Sequence, residues 1–249
     1  MSGGVRFWRV VRAEWTKPFA LRSTWVVLGV VPQTLVGVAA LIGANAEGPA
    51  GVTQTAGGGF LVFAVVIGVF GALTMTGEYG SGLIGATFAA VPRRLPVLWA
   101  KAVVLVLATT PVLAVAYLLA FLANQAFADA PIGLGDPGVV RALAGVTGAT
   151  VAVGVLGLGI GTLLRHPAAA VPAYVAVLVL LPPVLLGALP GAVRDTVLPY
   201  LPTLALQAMY HVGDDSTPVL DPAAGTAVAL GWVVVVLAGA AAMLRHRDV

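Results

Sequence analysis

AVVLVLATTPVLAVAYLLAFLA, residues 102–123, runs for 22 residues without a charged side chain. A helix crossing a bilayer needs about 20 mostly apolar residues, because at ~1.5 Å per residue that length spans a hydrocarbon core of ~30 Å. Inside that core the backbone N–H and C=O groups find no water, so the stretch must satisfy them within itself, as a helix. Five further stretches read the same way: 23–44, 58–76, 142–164, 168–189 and 223–244, the second weakened at its start by Gly57, Gly58 and Gly59. Composition agrees, since 59% of the 249 residues are hydrophobic and only 9% are charged, against about 25% charged in soluble domains. The expected fold class is an all-α membrane protein with six transmembrane helices. The chain has no cysteine, which removes disulfides, thiolate nucleophiles and cysteine metal cages from any mechanism.

Basic residues near span ends set orientation. With the N-terminus inside, Arg6, Arg9, Arg12, Lys17, Arg22, Arg93, Arg94, Lys101, Arg165, Arg245 and Arg247 fall inside, and only Arg141 and Arg194 outside. Acids run the other way: Glu47, Asp129, Asp136, Asp195, Asp214, Asp215 and Asp221 outside, Glu14, Glu78 and Asp248 inside. Both termini are therefore expected on the cytoplasmic side. The Ala44-Asn45-Ala46 triplet resembles a signal-peptidase site, but the run before it is about twice the usual 7–15 residue apolar core, so the first span reads as uncleaved.

The chain divides into an interfacial segment, 1–22, and one six-span domain, 23–249. In the first, Phe7, Trp8, Val11, Trp15 and Phe19 fall on one side of a helical wheel and Arg6, Arg9 and Arg12 on another. That is the pattern of an amphipathic helix at headgroup depth, with its arginines facing anionic lipid. Pro18 should end or bend it near Lys17. Between the last two spans the outer loop, 190–222, contains VLPYLPTLALQAMY, residues 197–210, too short to span and broken by Pro199 and Pro202. One or two short helices dipping into the outer leaflet, or lying on its surface, fit it. Pro172, Pro182 and Pro183 should kink the fifth span and free carbonyls for neighbouring groups. In the fourth span, Gly154, Gly157, Gly159 and Gly161 permit close helix approach, within the monomer or at a dimer seam.

Several chemistries lack their residues. No ionisable residue is expected deep in a span, where ion-coupled carriers usually place one. Ser81 and His211 are expected on opposite sides of the membrane, so they make no nucleophile–base pair. No zinc-binding HExxH is present, and Asp214, Asp215 and Asp221 read as a solvated loop. No metal site is expected. Nor is there a G-x-x-x-x-G-K-[ST] loop, so any ATP-driven work belongs to a partner.

TGEYGSGLIGATFAAVPRR, residues 76–94, interrupts the apolar pattern. Glu78 lies near the C-terminal end of the second span, where partial negative charge disfavours an acid by ~0.3–1 kcal/mol. Compensation must come from the N-terminus of a following helix, from Arg93, Arg94 or Lys101, or from a partner. Gly80 and Gly82 allow a reversal, and Ser81 is placed to cap the next helix. Leu83, Ile84, Thr87, Phe88 and Val91 then repeat at helical spacing, with Gly85, Ala86, Ala89 and Ala90 opposite, until Pro92. The expected short helix covers 81–91.

A basic amphipathic start, a first span, Glu78-Tyr79 with Ser81-Gly82, a short helix, Val91-Pro92-Arg93-Arg94, and Ala100-Lys101 entering the third span together resemble bacterial permeases of the ABC exporter type 2 class. The six-span layout extends the resemblance over the whole chain. It implies the permease subunit of an exporter in the bacterial plasma membrane, working with a second permease copy, identical or not, and with cytoplasmic ATPase subunits that hold ATP and magnesium. This chain itself would need no cofactor and would catalyse no reaction. The helix at 81–91 would be the coupling helix, with Glu78, Tyr79, Ser81, Gly82, Leu83, Ile84, Thr87, Phe88, Arg93 and Arg94 at the ATPase contact, supported by Trp8, Arg9, Arg12 and Trp15 of the interfacial helix. The remaining partners would be membrane lipid and an amphiphilic small molecule, as in multidrug efflux, and not nucleic acid. The alternatives are a membrane-integral lipid-modifying enzyme and a non-transporting scaffold or immunity protein on the same fold. A reporter fused after Arg94 should give a cytoplasmic signal; an extracytoplasmic one overturns the topology.

Overall fold

The seam between the second and fourth apolar stretches organises the molecule. In the computed structural model, which describes residues 7–20, 22–45, 53, 57, 59–91, 94–213 and 220–246, no strand occurs among the described residues. The helices are α1 (Phe7–Ala20), α2 (Arg22–Ala44), α3 (Phe60–Gly80), α4 (Leu83–Ala90), α5 (Leu95–Phe127) and α6 (Val139–Leu164). There follow α7 (Pro167–Val175), a π-helical turn (Ala176–Leu180), α8 (Leu181–Ala188), α9 (Gly191–Val197), α10 (Pro202–Ala208) and α11 (Pro222–His246). Six helical segments are long and apolar enough to cross a membrane, with α7, the π turn and α8 forming one of them. The chain is a multi-pass membrane protein. Arg6, Glu47, Arg93, Asp214, Asp215, Arg247 and Asp248, used above in the charge count, lie outside the described residues.

Helices α3 and α6 approach closely because both present glycine. A Cβ added at Gly157 would collide with the Gly68 carbonyl, one at Gly71 with the Gly154 carbonyl, and one at Gly161 with the Ala72 backbone. The small-residue spacing of the fourth span is thus used inside the monomer. Without a hydrophobic force between helices in lipid, such contact is what holds them. On another side of α6, Gly159 accommodates Val236 of α11. Helix α2 packs along α5. Tyr174 of α7 is fully buried against α3, where Gly68 leaves room for its ring and its hydroxyl donates to the Ala64 carbonyl at 2.7 Å.

Of the prolines in the fifth span, Pro182 frees a carbonyl for a neighbouring group, as expected. Pro182 has no N–H to offer the Leu178 carbonyl four residues earlier, and the backbone widens there into a π turn. Thr203 of α10 donates to that carbonyl at 2.5 Å. This bond helps to seat α10 inside the bundle: Pro202, Thr203, Ala205, Leu206 and Ala208 are buried, and Leu206 and Tyr210 join the main core with Phe60 and Val146. Residues 202–208 thus form a short helix packed into the bundle.

Three boundaries also differ. Helix α1 continues to Ala20, past Lys17, because Pro18 deprives only the Glu14 carbonyl of its bond. The third span is not confined to 102–123: α5 has 33 residues, ~50 Å of helix, and starts at Leu95 with Pro96 in the first turn, where the missing N–H costs nothing. The short helix is Leu83–Ala90 rather than 81–91. Gly157→Ala, which forces a methyl into the Gly68 backbone, should destabilise the protein by about 1–3 kcal/mol in detergent unfolding.

Candidate functional site

The antiparallel order of spans brings the C-terminal ends of α3 and α6 and the N-terminal end of α5 together at one end of the bundle. Helices α1 and α4 lie against that end, and four charged side chains meet there. Lys101 of α5 donates to Glu14 Oε2 at 2.7 Å and to Glu78 Oε1 at 2.5 Å. Lys17 donates to Glu14 Oε1 at 2.5 Å and to Glu78 Oε1 at 2.9 Å. The result is a closed ring of two carboxylates and two ammoniums with zero net charge. Thr87 of α4 completes it, donating to Glu78 Oε2 at 3.0 Å and accepting from Lys17 Nζ at 3.2 Å. Lys17 spends all three of its N–H groups in this way.

Burial makes the balance obligatory. The side chains of Glu14 and Lys101 are 4% and 5% exposed, Glu78 is 12% exposed and Lys17 38%. An isolated charge there would carry a desolvation cost of several kcal/mol, which mutual pairing offsets. Partial burial alone would lower the Lys17 pKa, but hydrogen bonds and charge from Glu14 and Glu78 outweigh it and hold the ammonium above its ordinary value. Lys101 and Glu78 lie near helix ends, Lys101 in the second turn of α5 and Glu78 in the last turn of α3.

The expected partner of Glu78 was one of several, and Lys101 is among those that meet it. Glu14 and Lys17 were not legible as partners. Their i, i+3 spacing beside Val10, also buried, was the available signal, marking a second, inward face of α1. The aromatic residues lie elsewhere: Phe7, Trp8 and Trp15 are exposed, as are Arg9 and Arg12, whereas Val11, expected on the same side, is buried beside Val10.

Around the ring, the other expected residues separate by direction. Ser81 does not cap α4. Its hydroxyl turns back to the Gly77 carbonyl at 2.8 Å, and Gly82, with φ of 76°, forms the N-cap. A left-handed residue is needed at that junction, which glycine supplies without strain. Ile84 is buried with Met75, Leu98 and Leu105, while Thr87 and Phe88 also turn toward the bundle. Leu83 is exposed together with Gly85, Ala86, Ala89 and Ala90. Arg94 places its guanidinium 5.4 Å from the Phe88 ring centre, and Arg165, a residue counted only for topology, sits 5.6 Å from that of Tyr79. Arg165 follows the last residue of α6, where a cation faces the negative end of the helix. Arg93 lies outside the described residues.

The ring and Thr87 thus join four helices, α1, α3, α4 and α5. Among the described residues no group of three or more His, Cys, Asp or Glu is placed to hold a metal ion. No protein-family profile matches the chain, and no curated relative matches it.

Lys101→Met leaves two buried carboxylates facing one ammonium and should destabilise the protein by about 3–5 kcal/mol. Adding Glu78→Gln restores the balance through Glu14 and Lys17, so the double variant should be more stable than Lys101→Met alone. Strict additivity in detergent unfolding would show that the ring is not a unit.

Proposed function

We propose that this chain is the membrane-spanning subunit of an ATP-driven exporter, with α4 as the docking element for a separate cytoplasmic ATPase. One observation carries this reading: α4 is tied through Glu78, Lys17 and Thr87 to α1 and α3, and through them to Lys101 of α5, while its small-residue side stays exposed. A helix held that way is a handle on the spans. Leu83, Gly85, Ala86, Ala89 and Ala90 form a face of low relief that suits a groove on a partner, with α1 bracing it from behind.

In this reading both termini are cytoplasmic and the protein resides in the bacterial plasma membrane with a second permease copy. The work of ATP enters from the partner. Closure of the ATPase pair displaces α4, the charge-balanced ring carries the displacement into α3 and α5, and the α3–α6 seam makes those spans move as one body. Inward and outward arrangements are then two states whose populations the nucleotide biases. The apolar character of the spans favours an amphiphilic substrate. Absence of a P-loop in this chain agrees with a division of labour between subunits.

The test is co-purification with a candidate ATPase. Ala89→Arg adds a long charged side chain to the exposed face without touching the ring, so the bundle should stay folded while the complex weakens at least about tenfold, equivalent to ~1.4 kcal/mol. If Ala89→Arg and Ala86→Arg both hold the ATPase as well as wild type does, the docking assignment is wrong.

A further inference from the structure

Helix α1 has a second face that the ring does not use. Glu14 is the sole acid in residues 1–46, and it is turned inward and neutralised by Lys17 and Lys101. The outward side therefore presents cations alone: Arg9 and Arg12 are exposed, on the same turns as Trp8 and Trp15. Trp15 of α1, one turn after Arg12, also lines an open cavity of about 460 Å³ between α2 and α5. Trp15 lines it together with Trp25 and Gly29 of α2 and Leu107, Pro111 and Val112 of α5. Every one of these residues is apolar or aromatic. Space for a chain exists at Gly29, where a Cβ would meet nothing within 4 Å.

We propose that this groove is a binding site for one anionic phospholipid, its phosphodiester on Arg12 and Arg9 and one acyl chain between α2 and α5 beneath Trp15. Charge complementarity selects the occupant. A groove on the outer flank of two spanning helices opens onto acyl chains, and a tryptophan at the junction of apolar wall and basic helix matches the headgroup boundary. The guanidinium groups favour a negative headgroup, each cation near the surface contributing about fivefold in affinity. The site depends only on the chain spanning a membrane, so it stands or falls separately from the exporter reading.

Native mass spectrometry of the purified full chain, titrated in detergent with phosphatidylglycerol or phosphatidylcholine, tests it. The wild type should retain one phosphatidylglycerol at concentrations at least about fivefold below those needed for phosphatidylcholine. Arg9→Gln with Arg12→Gln should remove that preference, weakening phosphatidylglycerol by a larger factor than phosphatidylcholine. Gly29→Leu fills the groove from open space on a helical backbone, so it should fold normally and lose both lipids. Equal affinity for the two lipids in wild type, or full retention by Gly29→Leu, overturns the proposal. So does a lipid-free dimer that Gly29→Leu dissociates, which would give the groove to a second copy.

Discussion

The ring of Glu14, Lys17, Glu78 and Lys101 is the constraint on which the rest of this end of the molecule depends. Its charges sum to zero and three of the four side chains are buried or nearly so. Attraction among buried ions does not by itself make a protein stable, since removing them from water costs as much as their pairing returns. What it does impose is geometry. Each ammonium has a carboxylate from two different parts of the chain, so α1, α3 and α5 must arrive in one arrangement or leave a charge uncompensated. Thr87 extends the same condition to α4. A helix of eight residues, too short to be stable alone, is thereby fixed in position and direction.

Glycine contact along α3 and α6 sets backbone against backbone, with no side chain between them at Gly71, Gly157 and Gly161. The fifth span is built the opposite way. Pro182 breaks its hydrogen-bond ladder, a π turn absorbs the change, and the freed Leu178 carbonyl is recovered only by Thr203 of another segment. The bundle thus joins a rigid pair to a span whose internal bonding is completed from outside.

The six spans were legible because the bilayer leaves the backbone few options, and a run such as 102–123 declares itself by length and lack of charge. Where they end was less so. Lys101 reads as a terminator on any hydropathy scale, yet it lies two turns inside α5, since a lysine can be carried inward when two carboxylates wait for it. Those carboxylates are 87 and 23 residues away in sequence, and no local pattern records such a pairing. The misplacement of Ser81 has a different origin. Serine is a good cap in general, but the chain reverses so sharply after α3 that the cap position needs a positive φ, and Gly82 takes it. The glycine spacing of the fourth span was visible, and its intramolecular use was one of two open readings. Tertiary structure alone chose between them.

In sequence, the compensation for Glu78 was open among the N-terminus of a following helix, Arg93, Arg94, Lys101 and a docking protein. The structure satisfies it entirely from within, by Lys101, Lys17 and Thr87. This changes what a partner at α4 has to provide. A partner that had to deliver the counter-charge would desolvate an ion on each approach, and its affinity would fall steeply with salt. With the ring already closed, the surface offered by α4 is small and largely uncharged, so recognition would rest on shape and on burial of Leu83 and the alanines. On the proposed reading, then, binding and transmission are separated by a single turn of helix: the outer face of α4 engages the partner, and its inner face, through Thr87, moves the spans.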